Sequence, residues 1–152
     1  MFFKFTNYNL GLEIKKGTKL INKSDFFNNT NLPKEAEESC LFVLQEPTTD
    51  SITYINFLGY SDSKDDMKNI IQDLISNNLD SNYDLLLYEK LKAINKQTLH
   101  ILNFNNEKNR LLMIATKIKS KIVVLSSTYH ESNDQIMQEF NLDLAKSIVS
   151  LD

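Results

Sequence analysis

The chain has no tryptophan, a single cysteine, two prolines and three glycines in 152 residues. Each shortage excludes something. Cys40 stands alone, so no internal disulfide can form and packing must hold the fold, as suits a reducing compartment. Three scattered glycines are too few for a phosphate-cradling loop. No apolar run approaches the length of a bilayer span. Residues 1–5 are apolar but short, and Lys4 interrupts them, unlike the core of a signal peptide. A cytoplasmic location is therefore expected. Positive charge is not in excess either. A net charge of −3 argues against attraction of the whole surface to nucleic acid or anionic lipid.

What is present is ordinary for a folded protein. Hydrophobic residues make up 41% and charged residues 24%, too apolar a balance for disorder. The length suits one domain, and neither an internal repeat nor a linker divides residues 1–152. Abundant Asn and Lys, together with Ile and Leu, point to AT-rich coding DNA and so to a bacterium of low GC content or a horizontally acquired gene.

The pattern of apolar residues predicts an α+β fold: a mainly antiparallel sheet packed with two amphipathic helices. Residues 2–6 and 10–14 read as an N-terminal hairpin. Residues 22–38 are polar and read as a long loop. Residues 40–44 and 52–58 read as paired strands, the second ended by Gly59. Ser61 or Ser63 is placed to cap a helix that carries Met67, Ile70, Ile71, Leu74 and Ile75 at helical spacing and stops near Asn77. Strands follow at 83–94, 97–104, 110–118 and 121–129. The polar turns between them, Asn95-Lys96, residues 105–109 and Lys119-Ser120, are too short for crossovers, so these strands form an antiparallel meander. A closing helix spans 133–151, with the stripe Met137, Phe140, Leu144, Ile148 and Leu151 on its buried side.

Two stretches carry a resemblance. Lys92-Ala93-Ile94-Asn95-Lys96-Gln97-Thr98-Leu99 joins strand to strand through a small polar turn. Ile122-Val123-Val124-Leu125-Ser126-Ser127-Thr128-Tyr129 leads from a last strand to a closing helix. With the order of elements over residues 40–152, they resemble the PsbP/DcrB-like fold family. That family includes an extrinsic photosystem subunit, a nuclear-import Ran-binding factor and effector-associated chaperones of type VI secretion. Where the family often has glycine in the turn, Asn95 and Lys96 stand here. The resemblance implies a partner-binding module and carries over no functional residue.

Candidates for chemistry are few. His100 lies inside a strand, where it reads as a solvent-facing residue, and His130 opens the polar stretch after the last strand, where it reads as part of a loop and helix cap. A small hydrolase using His130 with Glu131 or Asp134 is the enzymatic alternative, and a carrier of a small ligand in the core is a third class. Cys40 opens an apolar strand behind Glu35, Glu37 and Glu38, surroundings that disfavour a thiolate. Ser126-Ser127 lacks the glycine-flanked turn of a serine nucleophile. Asp62, Asp65 and Asp66 lack the glycine and closing glutamate of a calcium loop and fit a helix N-terminus. No catalytic set, cofactor or metal is expected.

The sequence points instead to a protein partner, with no nucleic acid and no membrane, and is compatible with a homodimer. Candidate contact residues are the acidic Glu35, Glu37 and Glu38, which with Asp50 could occupy a basic cleft. A basic set, Lys108, Arg110, Lys117, Lys119 and Lys121, lies around two meander turns, and Phe26-Phe27 is an aromatic pair within a polar stretch. The most specific expectation is a non-enzymatic cytosolic immunity protein that neutralises a secreted bacterial toxin. The alternative drawn from the resemblance is a chaperone that holds an effector segment.

Overall fold

The computed structural model describes residues 1–93 and 97–152. Strands β1 (Phe2–Phe5) and β2 (Leu10–Glu13) pair antiparallel across a single 3-10 turn, Thr6–Tyr8. Asn9 closes that turn in the left-handed region, at φ 50°, which asparagine tolerates well. The expected hairpin is thus present.

The stretch 22–38 is not a loop. After the two-residue β3 (Lys19–Leu20) it forms two short helices, α1 (Lys23–Asn28) and α2 (Lys34–Glu38). Asn22 caps the first by accepting from the Asp25 amide at 3.0 Å, and Pro33 stands before the second, where no backbone donor is needed. Polar composition concealed them because each contributes few apolar groups to the core: Phe27 from α1 is buried and Ala36 from α2 packs beside it.

Strands β4 (Cys40–Gln45) and β5 (Ile52–Tyr60) pair antiparallel as expected. Gly59 does not end β5. It sits at φ 125° in a bulge, where its missing Cβ lets the strand bend and continue to Tyr60. Helix α3 (Asp66–Asp80) follows, with Met67 and Ile71 buried. The meander is β6 (Asp84–Lys92), β7 (Thr98–Asn106), β8 (Asn109–Ile118) and β9 (Lys121–His130), each antiparallel to the next. The turn expected at 105–109 is shorter, because Asn105 and Asn106 extend β7 and pair with Arg110 and Asn109. The turn expected at Asn95-Lys96 lies outside the described residues.

Helix α4 (Asp134–Ser147) is shorter than the stripe suggested. Its end is replaced by other hydrogen bonds: the Ser147 hydroxyl donates to the Leu144 carbonyl at 2.7 Å and accepts from the Glu13 amide at 3.0 Å. The β-branched Ile148 then turns extended, and β10 (Val149–Ser150) pairs with β2.

The strands form two sheets. One has the order β3-β4-β5-β9-β8-β7-β6, and the other β1-β2-β10. The large sheet is covered on both faces. On one face Leu99, Ile101, Leu112, Ile114, Val123 and Leu125 pack with Met137, Phe140 and Leu144 of α4 and with the small sheet. On the other, Leu102, Phe104, Leu111, Ala115, Ile122 and Val124 pack under α3. Lys121, 3% exposed, joins the two sheets: its Nζ lies 2.7 Å from the Asp152 carboxylate and donates to the Asn9 carbonyl at 3.2 Å. Among the described residues no helix is long and apolar enough to cross a membrane.

Candidate partner-binding site

Strand β6 is the free edge of the large sheet. Its sequence, Asp-Leu-Leu-Leu-Tyr-Glu-Lys-Leu-Lys, does not alternate at first, and a bulge between Leu85 and Leu87 absorbs the extra leucine. Beyond the bulge, cross-strand partners share a face. Tyr88 pairs with Leu102, Lys90 with His100 and Lys92 with Thr98, so these side chains stand on the α3 face. Leu87 pairs with Asn103, Glu89 with Ile101 and Leu91 with Leu99, on the α4 face.

Helix α3 does not close over this edge. An open groove of about 810 Å³ remains between it and the β6–β7–β8 surface. Met67, Ile71 and Ile75 make its wall on the helix side, an apolar strip at helical spacing. Lys64 projects from the turn before α3, Lys68 from the first turn of α3, Lys90 from β6 and Lys117 from β8, and no carboxylate lines the groove among the described residues. None of these four lysines is in a salt bridge among the described residues. The Lys117 ammonium donates to the Ser63 carbonyl at 3.1 Å and fixes the chain just before α3. A protein of net charge −3 thus carries a concentrated positive region.

Tyr88 and His100 sit together in the groove. The phenol oxygen lies 2.9 Å from Nδ1, and the rings stack at 6.1 Å between centroids. Burial, followed by the charge of Lys90, holds His100 below its ordinary value, so it is neutral at physiological pH. His100 is half-buried in this groove and does not simply face solvent.

Of the candidate residues singled out from sequence, His100 and Lys117 line the groove and the others fall elsewhere. Phe27 is buried with Cys40 and Val43 and cannot anchor a partner. Phe26 is half-buried against Phe27 and Tyr54 and borders a shallow depression with Leu32 and Ile52. Glu35 and Glu38 are exposed on α2, and Glu37 is half-buried. The supposed basic cluster is divided. Lys108 and Arg110 lie at one end of β8 and Lys117, Lys119 and Lys121 at the other, because the strand between them is ten residues long. Arg110 already faces Glu131 at 3.5 Å, and Lys119 donates to the Asp152 carbonyl at 2.8 Å.

Cys40 is buried and its thiol is pushed up to about 11, first by burial and then, against opposing contributions, by Glu37. His130 accepts from the Ser132 amide at 3.1 Å and caps the 3-10 turn Glu131–Asn133, the structural role expected of it. Among the described residues, no group of three His, Cys, Asp or Glu side chains is placed to hold a metal ion. Sequence reasoning missed Lys64, Lys68, Tyr88 and Lys90. The only signals were the i, i+4 lysine pair and the unalternated leucine run.

No protein-family model matches the chain, and no curated protein matches it in sequence. Solved structures do. Cyanobacterial PsbP (CyanoP) from Synechocystis sp. PCC 6803 is 12% identical, with 99% of this chain and 91% of that one covered at a TM-score of 0.66. The Saccharomyces cerevisiae Ran-binding protein Mog1p is 10% identical, with 100% and 95% covered at a TM-score of 0.57. At such identities the similarity is one of architecture, and the chain has the α+β fold shared by PsbP and Mog1p.

Proposed function

We propose that this chain is a non-catalytic protein-binding module that receives part of another protein in the groove between α3 and β6. The groove itself carries the reading: it is open, apolar on the helix side and ringed by four lysines free of salt bridges among the described residues. Such a site suits a chain segment with both apolar and acidic groups better than an enclosed small ligand. The buried thiol of Cys40 and the capping role of His130 make neither a strong nucleophile or base. A neighbour of the same fold, Mog1p, is a Ran-binding protein, which supports protein binding as a use of this architecture. The groove supports the chaperone form, in which it holds an effector segment. The test is a native pull-down from the source cell with mass spectrometry. A single stoichiometric partner is expected, and capture that survives blocking of the groove by reversal of Lys64 and Lys68 would count against it.

The immunity form is favoured by a separate observation, the acidic α2 beside half-exposed Phe26. In that form Glu35, Glu37 and Glu38 face the basic cleft of a toxin acting on nucleic acid, and Phe26 supplies the apolar contact. Reversing the three glutamates should slow association by about tenfold or more, with the wild-type rate falling as salt rises. Association that ignores both salt and the reversal places the interface away from α2.

A further inference from the structure

We infer that β6 is a strand-addition site for an extended partner segment in which acidic and apolar residues alternate. The inference rests on the protein-binding reading and names the chemistry of the partner at that same site. An exposed edge offers a row of unpaired backbone groups, and such edges are usually kept short or guarded by charge. The opposite edge of this sheet follows that rule, since β3 has only two residues. β6 has nine and leaves Leu86 51%, Leu87 49% and Leu91 37% exposed.

The positive charges on β6 stand on one face, and the one carboxylate beyond the bulge, Glu89, stands on the other. Lys90 and Lys92 stand on the groove side, where Lys64 and Lys68 add to the positive field. Leu87 and Leu91 stand on the other side, where α4 packs over β8 and β9 and leaves the β6 edge open. A strand laid against β6 takes its backbone hydrogen bonds from the edge and its specificity from alternate side chains. On one face these side chains meet the two lysines beside Tyr88, and on the other the two leucines that flank Glu89. Period-two alternation of acidic and apolar residues is the pattern that satisfies both faces.

A second copy of the chain fits less well. Antiparallel pairing of two β6 strands about a two-fold axis perpendicular to the sheet puts both α3 helices on one face. Two sets of the same lysines would then crowd together.

The probe is a fluorescein-labelled synthetic peptide of alternating Asp and Val, as long as β6. A peptide of the same composition with all Asp before all Val, and an alternating Lys-Val peptide, are controls. Saturable, salt-sensitive binding of the first peptide is expected, with slowed amide hydrogen exchange along β6. The double variant Lys90→Glu/Lys92→Glu should weaken binding at least about tenfold. Leu87→Ser/Leu91→Ser should also weaken it, while Lys108→Glu, at the far end of β8, should not. Circular dichroism verifies that each variant folds.

Equal binding of the block-order peptide, or protection outside β6, would overturn the inference. So would a concentration-dependent dimer in which β6 is protected without peptide, which would give the edge to a second copy. A natural partner captured equally by the wild type and Lys90→Glu/Lys92→Glu would leave the module reading intact and remove only this edge. Peptide binding at β6 with no natural partner captured would count against the module reading alone.

Discussion

Asn103 illustrates how a single polar atom can set back stability. The residue is 6% exposed on the α4 face of β7, and its side-chain oxygen has no hydrogen-bond partner among the described residues. A buried acceptor without a donor forfeits its hydration with nothing in return. Asn103→Leu, set between Leu87 and Leu112 across the strands, should raise stability by about 1 kcal/mol. Urea denaturation checks this, and a lowered midpoint would mean that the amide nitrogen contributes more than the oxygen costs. Asn141 is the contrasting case. It is fully buried in α4, yet its oxygen accepts from the Thr53 hydroxyl at 2.8 Å and its nitrogen donates to the Met137 carbonyl at 2.7 Å. A satisfied polar group of this kind orients the helix on β5 without the penalty at Asn103.

At the scale of elements, α4 is held by one stripe. Met137, Phe140 and Leu144 are buried, and Ile148 continues the stripe after the helix has ended. Phe140→Ala should cost about 3–5 kcal/mol, because a buried ring leaves a cavity that the sheet below cannot fill. Leu151→Ala is the matched control, since Leu151 is 39% exposed and beyond the helix. An unchanged denaturation midpoint for Phe140→Ala would show that α4 contributes little to the core. Helix α3 is a different kind of element. It is buried along Met67 and Ile71 but leaves Ile75 half-exposed to the groove, and its one lysine, Lys68, faces a cavity where packing would have required an apolar group.

For the whole molecule, acid should act in two stages. His100 is held below its ordinary value of 6.5 by burial and Lys90, so the unfolded chain takes up this proton more readily than the folded one. Its contribution is complete above that value and is lost as pH falls through the lower folded value. Glu46 is buried, which raises its carboxyl, but the amides of Thr48 and Thr49, both within 3.0 Å, outweigh burial and hold it below its ordinary 4.5. Its contribution is present above that value and disappears at lower pH. Thermal denaturation across the acidic range should therefore show a first loss that His100→Gln removes and a second that it does not. A single loss, unaffected by His100→Gln, would mean that the groove histidine stays neutral in both states.

What was legible in the sequence was local. The largely apolar segments 97–104, 110–118 and 121–129 read as strands, and their apolar runs are continuous where both faces of the sheet are buried. The short turns then require antiparallel neighbours, and the stripe from Met137 to Leu144 requires a helix. The order of elements carried the fold through to its similarity with PsbP and Mog1p. Polar composition misled at 22–38, where capping by Asn22 and one buried ring suffice for short helices. Ile148–Ser150 left the helical pattern because β2 offered a partner strand that sequence spacing cannot display. The site was decided by tertiary structure alone. Lys64 comes from the turn before α3, Lys68 from α3, Lys90 from β6 and Lys117 from β8, residues distant along the chain that form a positive groove only once the helix crosses the sheet. The basic set read around two meander turns is divided by β8, since ten residues of extended backbone separate Lys108 from Lys119.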